Sequence, residues 1–176
     1  TFSGTASKSG QRIVCAHAAQ HQYTLFSLDI SAAFLKGLTF EEIAKLTGDP
    51  LQSVQFRMPS DCIPLLRKLP GMSDFDPMAG VLDFIKAMWG LKDAPRAFGM
   101  RRDMTLREFG ARPTVKDPNL WVKTVTDTAG HTKSVALLST HLDDIKGSAT
   151  DAERQKLITL LKRDFGNDLK TQLTEF

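Results

Sequence analysis

The stretch Ser134–Val135–Ala136–Leu137–Leu138–Ser139–Thr140–His141–Leu142–Asp143–Asp144 decides how the rest of the chain is read. Its apolar run Val135–Ala136–Leu137–Leu138 is short and reads as a buried strand. Two adjacent acids close it. Like charges side by side at the edge of a core are costly unless a cation neutralises them. Mg²⁺ suits that task, because it takes hard oxygen ligands and binds through one or two carboxylates plus phosphates. Asp also favours turns, so the pair taken alone reads first as a plain turn.

Outward from this stretch, residues 120–126 form a partner strand across a turn at Asp127 to Gly130. After Asp144 comes a short apolar-polar stretch to Ser148, then a helix. Thr150 and Glu153 make a capping box for it, Leu157, Ile158, Leu161 and Phe165 its apolar stripe, and Gly166 its stop. Upstream, residues 94–109 read as a helix with Asp93 as N-cap, Pro95 in the first turn and Gly110 at the end. Residues 81–89 fit strand or helix. Residues 59–80 are rich in Pro, Gly and Asp and read as loops with one short helix, and residues 53–58 as a strand.

Thr39 and Glu42 form another capping box, for a short helix ending near Gly48. Residues 23–30 alternate, with Thr24, Phe26, Leu28 and Ile30 on one face and Tyr23, Leu25, Ser27 and Asp29 on the other. Ser7 or Ser9 caps a first helix that runs to Ala19. Antiparallel hairpins with segregated helices predict the α+β class rather than a doubly wound sheet. Asp29, like Asp143 and Asp144, ends a core strand. If those strands are neighbours, the three acids meet, in an arrangement suited to two ions ~3.5–4 Å apart.

The 176 residues suffice for one domain with a real core. Hydrophobic residues are 41% and charged residues 24%, which argues against global disorder. A net charge of +3 is too mild to prove a nucleic-acid binder. The +3 is uneven, however: from Lys86 to Arg112 seven basic residues face three acidic ones. Cys15 and Cys62 stand far apart and the four histidines lack zinc-finger spacing, so neither disulfide framework nor structural zinc is expected. No apolar run nears the ~18–20 residues needed to span a bilayer. No secretory signal opens the chain, and an intracellular, reduced setting without membrane contact is the expectation. Without an initiator Met, the chain is expected to be a piece of something longer.

Several blocks resemble one family. Ser27–Leu28–Asp29–Ile30–Ser31–Ala32–Ala33–Phe34–Leu35–Lys36–Gly37 is similar to the first catalytic motif of Ty1/copia-type retrotransposon reverse transcriptases, Leu-Asp-Val followed by Ala-Phe-Leu-x-Gly. Gly90–Leu91–Lys92–Asp93–Ala94–Pro95–Arg96–Ala97–Phe98 resembles their Gly-Leu-Lys-Gln-Ala-Pro-Arg-Ala-Trp signature, and His141–Leu142–Asp143–Asp144 their Tyr-Val-Asp-Asp box. Thr1–Phe2–Ser3–Gly4–Thr5 and the stretch from Asp117 to Val122 resemble two further blocks. The blocks recur in order from residue 1 to about residue 166, and only residues 47–80 are atypical.

The resemblance implies a polymerase palm-like antiparallel sheet packed on helices, with part of the fingers, over residues 1–176. It implies RNA-directed DNA synthesis: a primer 3′-hydroxyl attacks the α-phosphate of a deoxynucleotide and releases pyrophosphate. Asp29, Asp143 and Asp144 would be the catalytic acids. With the backbone carbonyl of Ile30 they would hold two Mg²⁺ ions, with Mn²⁺ as a substitute. Phe34 matches the steric gate that excludes a 2′-hydroxyl, with plain core packing as the alternative. Lys92 and Asp93 would flank the nucleotide. Arg96, Arg101, Arg102 and His141 would face nucleic acid, the arginines as a wall toward template or primer phosphates; a solvated helix face is the plainer reading of that charge. Trp89 would stack on a base or, as a lone Trp, lie in the core. The implied partners are a primed RNA or DNA template, deoxynucleoside triphosphates, and the other Pol domains, integrase and RNase H. The implied setting is a cytoplasmic particle or the nucleus.

Departures from the pattern set the competing readings. His141 replaces the aromatic residue, and Asp93 replaces a Gln beside a triphosphate, where a carboxylate is electrostatically poor. The family's preceding fingers segment would lie before Thr1, and no thumb, connection or RNase H region is visible, so this stretch alone is expected to fall short of a working polymerase. One alternative is a degenerate relic of the family that binds nucleic acid without catalysis. Another is a two-metal nuclease, although no further His or Glu groups with the three acids.

Overall fold

The computed structural model describes residues 6–174, so the block Thr1–Phe2–Ser3–Gly4–Thr5 lies outside the described residues. Two units are present, one comprising the chain up to Gly37 and from Met88 onward, the other Leu38–Ala87. The first unit begins with α1 (Lys8–His21), β1 (Thr24–Asp29) and a 3-10 turn at Ala33–Lys36. The second contains α2 (Phe40–Thr47), β2 (Gln55–Phe56), α3 (Ile63–Leu66) and β3 (Leu82–Asp83). The first then resumes with α4 (Ala94–Glu108), β4 (Arg112–Pro113), β5 (Leu120–Thr126), β6 (Thr132–His141), β7 (Asp144–Ala149), α5 (Asp151–Phe165) and β8 (Lys170–Thr174).

A six-stranded sheet of order β4-β5-β6-β7-β1-β8 organises the first unit. Every neighbouring pair in it is antiparallel, which is the α+β arrangement expected. On one face Phe26, Leu28, Leu138, Ile145 and Trp121 pack with Phe98 and Leu106 of α4 and with Leu157, Leu161 and Phe165 of α5. The helix stripe read from the sequence thus covers the strand face read from it. On the opposite face Val14 of α1 packs with Leu120 and Leu137, flanked by Leu25 and Val122. Each buried aliphatic or aromatic side chain of this kind contributes about 1.5–3 kcal/mol.

Local sequence explains most element ends. Ser7 caps α1, its hydroxyl accepting from the Gly10 amide at 2.8 Å. That cap is tied to the entry of β5, because the Ser7 amide and hydroxyl both donate to Asp117 Oδ2, at 3.2 and 2.7 Å. Burial alone would raise the Asp117 carboxyl, but Ser7 and the Asn119 amide outweigh it and hold it below the ordinary range. The block beginning at Asp117 therefore has a structural reason of its own.

Thr39 and Glu42 form a complete capping box on α2. The second box is only half made. Thr150 accepts from the Glu153 amide at 3.3 Å, but the Glu153 carboxylate accepts from Lys123 at 2.5 Å and Lys156 at 3.1 Å. The Thr150 amide has no need of it, since it donates to the Val135 carbonyl at 3.1 Å. Asp93 makes no side-chain cap on α4; at φ −90° and ψ −7° its backbone lacks the extended geometry an N-cap requires.

Within the second unit, β2 pairs with β3 and the Phe56 and Phe84 rings stack with centroids 4.3 Å apart. The ambiguity at residues 81–89 resolves as this short strand, and residues 59–80 hold a 3-10 turn at Ser60–Cys62 followed by α3. The unit extends beyond the atypical stretch 47–80 at both ends. No helix among the described residues is long and apolar enough to cross a membrane.

Two strands leave little trace in the sequence. β8 is exposed along its length and is held by backbone pairing to β1. In β7, Asp144 to Ala149, Ile145 is the only large apolar residue, and Gly147 faces β1 on one side and β6 on the other, pairing with Phe26 and Leu138. A Cβ on Gly147 would lie 2.6 Å from Leu138 Cδ2 and 2.8 Å from Phe26 Cε2, so the glycine lets two large side chains meet over the strand. Gly147→Ala is expected to destabilise the fold by about 1–3 kcal/mol, read as a lower urea midpoint with an unchanged slope.

Candidate functional site

Register brings the acids together. β1 and β7 pair so that Asp29 stands directly opposite Asp144. β6 and β7 form a hairpin in which His141 pairs with Asp144, leaving Leu142 and Asp143 as the two turn residues. The Ile30 amide donates to the Asp143 carbonyl at 3.1 Å, which fastens that turn to the end of β1. Register therefore brings the backbones of Asp29, Asp143 and Asp144 to one end of these paired strands.

The backbone is unusual on both sides of the cluster. Ala32 has φ 52° and Leu142 φ 48°, a region that costs a non-glycine residue about 1 kcal/mol or more. Two-residue hairpin turns normally place Asn or Gly there. Such strain concentrates where surrounding structure over-determines a functional geometry.

Electrostatics mark Asp144. Burial first, then the charges of Asp143 and Asp29, push its carboxyl above the usual range, against the weaker pull of Lys146 and His141. With Gln11, Ser139, His141 and Lys146 it lines a cavity of about 210 Å³. Asp29 has a different neighbour: Lys170, opposite it on β8, places Nζ 3.5 Å from Asp29 Oδ2.

Carboxylate oxygens are the hard donors that Mg²⁺ and Mn²⁺ take, although Lys170 offsets part of the charge at Asp29. Among the described residues, however, no three His, Cys, Asp or Glu side chains close around a common point. The fit lies in the chemistry of the donors and in their backbone placement, with Asp29 paired to Lys170.

The remaining sequence candidates fall into two groups. Phe34 sits half-buried on the 3-10 turn after β1, and its ring meets the edge of Trp89 with centroids 6.3 Å apart. Trp89 is 55% exposed, which corrects the core reading of a lone Trp. Gly37 brings this turn onto α4: a Cβ there would lie 3.0 Å from the Phe98 amide nitrogen and 3.1 Å from the Ala97 carbonyl carbon. Two motif blocks far apart in sequence are thus one packed unit in space.

The expected basic wall is not one face. Lys92 and Arg96 are exposed at the start of α4. Arg101 lies half-buried, its guanidinium carbon 5.8 Å above the Phe165 ring, and Arg107 lies 5.5 Å above the Trp121 ring. Arg102, expected to face nucleic acid, is buried, donating to the Leu142 carbonyl and to Asp103. Consecutive helical residues point about 100° apart, so Arg101 and Arg102 cannot share an outward face. Neither the Arg102 contact nor the Lys170 contact had any signal in sequence, since both depend on long-range packing.

No protein-family profile matches the chain, and no solved structure matches it. A retrovirus-related Pol polyprotein from transposon RE1 of Arabidopsis thaliana is 28% identical over 151 residues. That alignment covers 86% of this chain and 8% of that protein, so the chain spans a small part of its relative. The likeness supports a retrotransposon Pol-related fragment.

A carboxyl held above its unfolded pKa contributes stability that is complete below the unfolded value and is lost as pH rises through the folded one. Asp144→Asn is therefore expected to raise Tm at pH 7 by about 2–4 °C for each kcal/mol of repulsion removed. The gain should vanish as pH falls below about 4. Thermal melts of both proteins across pH 3–8 test this, and an equal gain at every pH would contradict it.

Proposed function

We propose that this chain is the RNA-directed DNA polymerase region, palm with part of the fingers, of a copia-type Pol polyprotein. The observation that carries the reading is the register that sets Asp29 against Asp144 and fastens Asp143 to Ile30. Support comes from the packing of the Gly37 turn on Ala97 and Phe98, and from the 28% identity to a Pol polyprotein.

In this reading Asp29, Asp143, Asp144 and the Ile30 carbonyl hold two Mg²⁺ ions, with Mn²⁺ as a substitute. When bound, such ions lower the pKa of a primer hydroxyl and stabilise a leaving phosphate oxygen. The primer 3′-oxygen bonds to the α-phosphorus of a deoxynucleotide as the bond to pyrophosphate breaks.

The chain's own residues supply positioning and charge. Phe34, steadied by Trp89, lies beneath the sugar and excludes a 2′-hydroxyl. Lys92 offsets triphosphate charge and the opposing carboxylate of Asp93. Arg96 and Arg101 meet phosphates of the primed RNA or DNA template, and His141 packs toward the primer end. Integrase and RNase H are the partner domains this reading implies in the parent polyprotein.

Divalent cation is expected to stabilise the fold, by about 2.7 kcal/mol at a hundredfold excess over Kd. Asp29→Asn combined with Asp144→Asn should abolish that gain, which calorimetry with Mn²⁺ reads directly. In the full-length parent protein, primer extension on an RNA template is expected to fall at least about 100-fold on combining Asp143→Asn with Asp144→Asn. Equal incorporation by both proteins would refute the polymerase reading and favour a non-catalytic nucleic-acid-binding relic. Phe34→Ala should relax exclusion of ribonucleotides roughly tenfold or more, measured as the ratio of incorporation efficiencies.

A further inference from the structure

Arg102 is the one arginine of α4 whose side chain is nearly withdrawn from water, at 8% exposure. A guanidinium is costly to bury unless its donors are satisfied. Two sets of contacts satisfy it. Nη1 donates to the Leu142 carbonyl at 3.1 Å. Nε and Nη2 both donate to Asp103 Oδ1, at 3.1 and 2.8 Å, which fixes the plane of the fork.

Leu142 is the strained residue of the turn that presents the acid pair. On its Arg102 side the turn borders a cleft of about 390 Å³ shared with Arg96, Pro118 and Asn119, so packing support there is open. The other restraints on the hairpin tip come from elsewhere. Ile30 donates to the Asp143 carbonyl at 3.1 Å, and the Thr140 amide donates to the Asn119 carbonyl at 2.8 Å. Removing the Arg102 bond would leave Leu142 in a costly conformation with nothing donating to its carbonyl from α4.

We infer that Arg102 is a positioning residue, clamping the Leu142 carbonyl so that the strained turn holds Asp143 and Asp144 against the end of β1. The assignment of a reaction to those acids rests on the polymerase reading; the clamp itself does not. Arg102 Nε, Nη1 and Nη2 all donate within the fold, to Asp103 and to the Leu142 carbonyl. The residue acts through one main-chain carbonyl. Asp103 is its orienting partner, holding the fork so that Nη1 points at the turn.

The Ile30 amide is a natural reporter, because its acceptor is the carbonyl of Asp143. Arg102→Met keeps the bulk and removes the donors, Arg102→Lys restores one donor, and Asp103→Asn leaves the arginine in place but loosens its orientation. Hydrogen exchange by NMR and Mn²⁺ titration by electron paramagnetic resonance are measured on each folded variant. Arg102→Met is expected to accelerate exchange at Ile30 about tenfold relative to amides of β5, and to weaken Mn²⁺ binding by a similar factor, a change equal to about 1.4 kcal/mol. Arg102→Lys should recover part of both effects, and Asp103→Asn should fall between.

Unchanged exchange at Ile30 in the folded variants would overturn the clamp. So would acceleration spread evenly over β5 and β6, which would mark a merely structural arginine. If Arg102→Met does not fold, Arg102→Lys and Asp103→Asn carry the same comparison. Failure of the wild-type protein to bind Mn²⁺ would count against the polymerase reading, while the exchange data would still decide the clamp.

Discussion

The pairing of β1 with β7, with Asp29 set against Asp144, is the constraint on which the rest depends. Like charges directly opposite on neighbouring strands are unfavourable, so the core face beneath must offset them. Ile30 and Ile145 lie under the acids, both fully withdrawn from water. Gly147 makes the close packing of Phe26 and Leu138 possible two residues farther along. The acids are held together by the apolar face of the strands that carry them. The raised carboxyl of Asp144 is the electrostatic consequence of that arrangement.

Strain and anchoring gather at the same end of the sheet. Ala32 and Leu142 both carry positive φ just beyond the acid-bearing strands, and each is followed by a tight structural commitment. After Ala32 the chain turns onto α4 through Gly37, where no side chain would fit without displacing backbone. At Leu142 the chain reverses between two strands and is gripped through its carbonyl by a buried guanidinium. α4 thus touches both the turn carrying Phe34 and the hairpin carrying Asp143 and Asp144. It forms a common support for the two halves of the candidate site.

Legibility in the sequence followed the range of the forces involved. Caps at Ser7 and Thr39, glycine stops at Gly48, Gly110 and Gly166, and the stripe through Leu157, Leu161 and Phe165 were all readable, because each depends on residues within one or two turns. The Glu153 half of a capping box was misread because Lys123, thirty positions away, competes for the same carboxylate. Asp93 fails as a cap because the preceding turn leaves its backbone near-helical. β7 and β8 escaped notice because their pairing, and not their composition, makes them strands.

By itself the sequence determined the α+β class, the three strand-end acids and the blocks that resemble a copia-type polymerase. These are local patterns of apolar period, turn chemistry and motif spacing. The tertiary structure alone decided that Asp29 faces Asp144, that Lys170 pairs with Asp29, and that Arg102 turns inward to Leu142 while Lys92 and Arg96 stay in water. The physical reason is that register and side-chain direction are set by packing across the whole sheet. A one-residue slip of β1 against β7 would conserve every local signal and still separate the acids.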